Sequence, residues 1–172
     1  MEAPNRPTPS EYAPYYERYI GLVPDGSALE HLRSQIGETL ELLRSVSEEK
    51  SNYRYAPGKW SVKEVVGHLA DSERVFAYRA LRFARSDQTP LSGFDENDYT
   101  TNSNFADRPL GGVAEEFRAV RTATIALFEG MSGEAVARQG TANDTRVSVR
   151  ALLWIIAGHE RHHRKILQER YL

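Results

Sequence analysis

The sequence contains no cysteine, which excludes disulfides, cysteine-ligated zinc, iron–sulfur clusters and a protein thiol nucleophile. It has no apolar run near the ~18 residues that a membrane-spanning helix requires. Basic charge is not in excess either. Lys and Arg number 22 against 24 Asp and Glu, a net charge of −2, and no basic helix stands out to follow a phosphate backbone. Internal repeats are lacking, and the amino terminus is polar and Pro-rich, without the hydrophobic region of a signal peptide. These absences lead us to expect a soluble, cytoplasmic protein whose partners are small molecules rather than nucleic acid or membrane. The 172 residues suit one domain with a sizeable core.

Proline is concentrated at one end. Residues 1–24 hold Pro4, Pro7, Pro9, Pro14 and Pro24, together with Tyr12, Tyr15, Tyr16 and Tyr19. Proline at this density opposes a long helix and favours extended backbone. The expectation is a strap over residues 1–24 lying on the surface of a domain spanning 25–172, with its tyrosines packing and ligand stacking as their alternative use.

The remaining chain alternates amphipathic helices with polar connections. Ser27 and Glu30 open a first helix to about Val46, with Leu29, Leu32, Ile36, Leu40 and Leu43 on one stripe. His31 falls on its far side and is expected at the surface. Ser61 and Glu64 form an S-x-x-E capping box for a second helix to about Arg85, with Val62, Val65, Leu69, Phe76, Ala80 and Phe83 inward. His68 lies at the border of that stripe, in line with Ser72, Val75 and Arg79. Residues 86–108 read as a long, solvated crossover, its carboxylates lacking the spacing of a calcium loop. Phe94, Tyr99 and Phe105 could dock it on the bundle. Pro109 begins a third helix to about Glu129, with Val113, Phe117, Val120, Thr124 and Leu127 inward. A turn or hairpin about Asn143-Asp144 follows, and Ser148 caps a last helix to Leu172. Four helices with one long crossover make an all-α, four-helix bundle.

Chemistry concentrates in the last helix. Three of the five histidines occur in Gly158-His159-Glu160-Arg161-His162-His163. At about 100° per residue, His159 and His163 fall in the middle of the stripe of Val149, Leu152, Ile156 and Leu167, one turn apart. Arg161, Arg164, Lys165 and Gln168 cover the opposite, wet face. A lone histidine on an apolar face is ordinarily a hydrogen-bonded core residue. Two at ligand spacing, with His68 from a facing helix, instead suggest a divalent metal held by His68, His159 and His163, with positions left open for water or substrate. Imidazole ligands suit zinc or nickel first, with iron, cobalt or manganese also open. The run also matches H-E-x-x-H, in which Glu160 would be the general base of a metallohydrolase, although the mixed sheet of such proteases is missing from the pattern. Arg79, on one helical face with His68 and Ser72, is a candidate anchor for an acidic thiol cofactor.

The run Tyr55-Ala56-Pro57-Gly58-Lys59-Trp60-Ser61-Val62-Lys63-Glu64, with His68-Leu69 and Asp71 after it, resembles the second-helix signature of DinB/YfiT-like proteins. Leu153-Trp154-Ile155-Ile156-Ala157-Gly158-His159-Glu160 and His162-His163 are similar to that family's last-helix signature. The resemblance extends over about residues 27–172 and covers the leader least. It implies an up-up-down-down-like bundle, a homodimer, and a metal on His68, His159 and His163. It also implies activation of a low-molecular-weight thiol for conjugation or isomerisation, the thiol coming from a small molecule. The function expected is therefore thiol transfer to a small electrophile, with a metal-dependent hydrolase as the alternative. A non-catalytic metal-binding protein of the stress response is the third reading.

Overall fold

A computed structural model of the chain describes residues 6–172; Pro4, assigned above to the strap, lies outside the described residues. Two 3-10 turns, Pro9–Glu11 and Pro14–Tyr16, lead into the single-turn helix α1, Glu17–Ile20. Then come α2 (Ala28–Arg44), the short α3 (Glu48–Ser51), α4 (Val62–Ala84), α5 (Glu96–Thr101), α6 (Leu110–Glu129) and α7 (Gly133–Ala137). The antiparallel hairpin of β1 (Gln139–Ala142) and β2 (Thr145–Ser148) precedes α8 (Val149–Ile166), which runs into a π-helical turn, Leu167–Tyr171.

Each long helix starts where a side chain can satisfy free backbone donors, α6 excepted. Ser27 accepts from the Glu30 amide at the start of α2, and Ser148 from the Ala151 amide at the start of α8. The capping box of α4 is complete: the Glu64 amide donates to Ser61 Oγ, and the Ser61 amide to Glu64 Oε2 at 2.6 Å. Pro109, which has no amide hydrogen to satisfy, sits just before α6. In the hairpin, Asn143 and Asp144 take φ of 50° and 58°, the left-handed pair that a tight two-residue turn requires.

The four long helices, α2, α4, α6 and α8, form the bundle, with α6 and α8 each packed against both α2 and α4. Side-chain partners give their directions. Gln35 meets Ala157 and Glu38 meets Arg164, so α2 and α8 run parallel. Lys63 lies beside Ala106, and Arg74 and Glu73 reach Glu116 and Arg121, so α4 and α6 also run parallel. Trp60 meets Tyr171 and His68 meets His159, so α4 opposes α8. The order is up-down-down-up, which corrects the up-up-down-down arrangement. Parallel α4 and α6 need a connection as long as the bundle, and residues 86–108 supply it. That segment is more ordered than a solvated crossover: it contains α5, capped by Asp95, and its Leu91 bridges to Ala142. Phe105 is buried so close to α4 that a Cβ on Gly67 would lie 2.2 Å from its ring.

The interior has two apolar clusters with a polar layer between them. One surrounds Leu32, Phe76, Phe83, Phe128 and Trp154, the other Leu43, Leu69, Val113, Phe117 and Leu167. Gln35, Thr39, His68, Ser72, Glu73, Arg121, Thr124, His159 and Glu160 are buried at the level between them. The expected α2 stripe is therefore turned. Gln35 and Thr39 are fully buried, whereas Leu29, Ile36 and Leu40 are only half-buried. His31 is also half-buried rather than exposed, its Nε2 3.1 Å from Pro24 O. Residues 151–160 are all buried, because α8 is enclosed on several sides. Its supposed wet face is half-covered too: Arg161 donates to Gln35 Oε1 and Arg164 pairs with Glu38.

Candidate metal centre

The polar layer brings His68 of α4 against His159 and His163 of α8. His159 Nε2 lies 3.0 Å from His68 Nε2 and 3.1 Å from His163 Nε2, and the candidate ligand atoms of all three lie within 4.8 Å of one another. Spacing of four residues stacks the α8 pair on one face, and the antiparallel crossing carries His68 to the same height. His68 and His159 are buried and His163 is half-buried. Burial pushes the His68 imidazole down to about 4 and holds His159 and His163 well below their ordinary value, with neighbouring histidines adding to the depression. All three rings are thus neutral at pH 7. Ser72 Oγ is 3.3 Å from His68 Nδ1; a proton on that nitrogen leaves the Nε2 lone pair facing the other rings.

A divalent cation fits these residues. Zinc–imidazole bonds of about 2.0–2.1 Å place two nitrogens on one ion roughly 3–3.4 Å apart, which matches the two Nε2 separations. Three neutral rings aiming Nε2 at one point cannot satisfy one another fully by hydrogen bonds, since each such nitrogen either donates or accepts. A shared cation satisfies all three lone pairs.

Aromatic rings hold the histidines in place. Trp60 lies 4.6 Å from the His68 ring between centroids, and Tyr19 meets His159 and His162 edge-on at 5.2 and 5.3 Å. His162 therefore packs beside the triad without joining it. Tyr19 can approach because position 158 is glycine: a Cβ there would stand 2.0 Å from the Tyr19 carbonyl oxygen. The leader from residue 6 onward is more than a surface strap. Arg6 donates to the carbonyls of Ile20 and Val23, Glu11 pairs with Arg150 and accepts from Ser148, and Tyr16 and Tyr19 face the centre.

Two cavities flank the histidines. One of about 390 Å³ is lined by His159, Ser72, Phe76, Arg79, Tyr16 and Tyr19, with Glu96 at its edge. The other, about 210 Å³, is lined by His163, Trp60, Lys59, Tyr55 and Tyr171. Arg79, singled out from sequence as an anchor, thus stands in the wall of the cavity that reaches His159.

Glu160 does not join the histidines. One residue beyond His159, it points about 100° away, between α2 and α6. Its carboxylate accepts from Arg121 Nη1 at 2.7 Å, Gln35 Nε2 at 2.8 Å and Thr39 Oγ1 at 2.5 Å. Arg121 also holds Glu73 through Nε and Nη2, at 2.9 and 2.8 Å. A carboxylate so engaged has no geometry for taking a proton at the triad, which corrects the general-base assignment drawn from H-E-x-x-H. Sequence reasoning missed Gln35, Thr39, Glu73 and Arg121. The available signal was a charge on a core stripe: Glu73 follows Leu69, and Arg121 lies between Phe117 and Thr124 at helical spacing.

A family model described as the DinB superfamily matches residues 31–167. The chain belongs to the DinB superfamily. Among curated relatives, the Oceanobacillus iheyensis protein named "Putative metal-dependent hydrolase OB0413" is 23% identical over 137 residues, covering 78% of this chain and 76% of that one. Among solved structures, Bacillus subtilis YfiT, described as a probable metal-dependent hydrolase with an unusual four-helix bundle topology, superposes with a TM-score of 0.71. It is 19% identical, and the match covers 95% of this chain and 89% of YfiT. A mycothiol-dependent maleylpyruvate isomerase gives a TM-score of 0.67 at 13% identity, over 80% of this chain and 58% of that one. At these identities the two structures show a shared fold alone. The family match begins after the leader, so the tyrosines facing His159 lie outside it.

Proposed function

We propose that this DinB protein is a metal-dependent enzyme in which His68, His159 and His163 hold a divalent cation, zinc or nickel first. Its substrates would be a low-molecular-weight thiol and a small electrophile. The observation that carries the reading is the convergence of three imidazoles, two buried and one half-buried, between two cavities, one reaching His159 and the other His163. A cation bound there would lower the pKa of a coordinated thiol or water, giving a nucleophile at neutral pH. The chain's own contribution is positional. Burial keeps the imidazoles unprotonated and available as ligands, Ser72 and Trp60 orient His68, and Tyr19 closes over His159. Two cavities provide separate places for the two reactants, as a transfer reaction requires. The thiol is external because the chain has no cysteine.

Hydrolysis is the second reading, supported by the names of the curated relative and of YfiT. Its base would be Glu96, the carboxylate at the edge of the cavity that His159 lines, rather than Glu160. One experiment separates the two. Zinc- or nickel-loaded protein is assayed for conjugation of glutathione, bacillithiol or mycothiol to a fluorogenic haloalkyl electrophile, and in parallel for hydrolysis of nitrophenyl esters. Metal-dependent conjugation that survives Glu96→Gln supports thiol transfer. Ester hydrolysis abolished by Glu96→Gln, with no conjugation, supports the hydrolase.

A further inference from the structure

The larger cavity holds a cation without a counter-ion. Lys63, Arg79 and Arg121 are the buried lysine and arginine side chains of the described residues. Lys63 pairs with Glu48, and Arg121 with Glu73 and Glu160. Arg79 is only 4% exposed, yet among the described residues no carboxylate comes within ion-pair distance. Nη2 donates to the Ser92 carbonyl at 2.9 Å, and the uncharged Tyr16 hydroxyl stands within hydrogen-bonding reach of the guanidinium. An isolated buried charge is costly. A guanidinium kept at that cost, in the wall of a cavity, is matched in shape to a planar, two-oxygen anion. Glu96, the carboxylate at the cavity edge, is exposed and its charge is screened by solvent.

The rest of the wall says what the anion is attached to. Phe76 and Phe94 flank Arg79, with ring centroids 6.0 and 5.9 Å from its guanidinium carbon. Tyr16 and Tyr19 form the side made by the leader, and His159 lines the same cavity. Aromatic walls with one cationic end suit a flat apolar body bearing a carboxylate. We propose that this cavity binds a small carboxylic acid with a flat, unsaturated body, its carboxylate on Arg79 and its body directed at the histidine centre. The acid's role as the electrophile rests on the transfer reading above; its binding does not.

The test uses benzoate and benzamide, which share shape and differ in charge. Each is titrated calorimetrically into the full chain, metal-free and zinc-loaded. Benzoate is expected to bind at least ten-fold more tightly than benzamide in both forms. Arg79→Met should abolish that preference, and Arg79→Lys, which keeps the charge but loses the planar fork, should retain part of it. Arg79→Met removes an unpaired buried charge and is expected to fold; if it does not, the weakened preference of Arg79→Lys decides. Equal binding of the two probes to wild type overturns the proposal, as does a preference that survives Arg79→Met. A preference present only with zinc overturns it too, because the carboxylate would then be reading the metal. Glutathione is the remaining probe: Arg79-dependent glutathione binding without a benzoate preference would place the anion on the thiol instead. Absent turnover with an intact preference would overturn the proposed activity alone.

Discussion

The buried Arg121 makes a sharp prediction about the middle of the bundle. Its guanidinium is held by Glu73 on one side and Glu160 on the other, with all three side chains at most 3% exposed. Arg121→Met leaves two carboxylates in the core without their cation, and breaking a buried ion pair in this way costs about 3–5 kcal/mol. Glu160→Ala is milder, because Arg121 keeps Glu73, although Gln35 Nε2 and Thr39 Oγ1 lose their acceptor. Arg121 stays neutralised, so the cost is chiefly that of the two unsatisfied buried donors, at about 1.5 kcal/mol each or about 3 kcal/mol together. Glu160→Gln keeps the shape and one acceptor oxygen and is expected to cost about 1.5–2 kcal/mol, the worth of a charge-assisted hydrogen bond. For a domain of this size, 1 kcal/mol shifts Tm by roughly 2–4 °C. The losses should therefore fall in the order Arg121→Met, Glu160→Ala, Glu160→Gln, at roughly 6–20, 6–12 and 3–8 °C. Thermal melting followed by circular dichroism checks this, with metal content measured on the same samples. A Glu160→Ala midpoint within about 2 °C of wild type, or Glu160→Gln that melts normally but loses all turnover, would refute the argument and restore Glu160 as a chemical participant.

Gly158→Ala should loosen the leader, since the new Cβ would meet the Tyr19 backbone at 2.0 Å, and backbone cannot turn aside; faster proteolysis within residues 6–24 with α8 still helical is the expected result. Among single alanine replacements, His159→Ala should reduce zinc content most, because its Nε2 adjoins both other rings, and elemental analysis per chain tests the ranking. Metal-free protein should lose stability as pH falls. His68 titrates at about 4 in the fold and near 6.5 unfolded, so only the unfolded state takes up the proton between those values. Stability from that neutral ring is fully present above about pH 6.5 and is lost progressively toward pH 4, by on the order of 2–4 kcal/mol for His68, with His159 and His163 adding to it. Urea midpoints at pH 7.5, 6 and 4.5 measure this, and a flat profile would contradict burial of neutral imidazoles.

Much of this architecture was legible in local sequence. The Ser61–Glu64 box, the Ser148 cap, the Asn143-Asp144 turn and the apolar stripe of α4 depend on neighbours within four residues, so helix periodicity and capping rules suffice to place them. The stacking of His159 on His163 is local for the same reason. What only the tertiary structure decided involves partners far apart in the chain. Up-down-down-up order follows from which helices meet, and side-chain periodicity carries no information about direction. Hydrophobic patterning placed Leu29, Ile36 and Leu40 inward and overlooked Gln35 and Thr39, because a polar residue reads as surface until its buried partner is known. Glu160 shows the limit most clearly. Its place in H-E-x-x-H is a fact of spacing, but the direction of its carboxylate was decided by Arg121, 39 positions away in sequence, whose charge had to be neutralised inside the bundle.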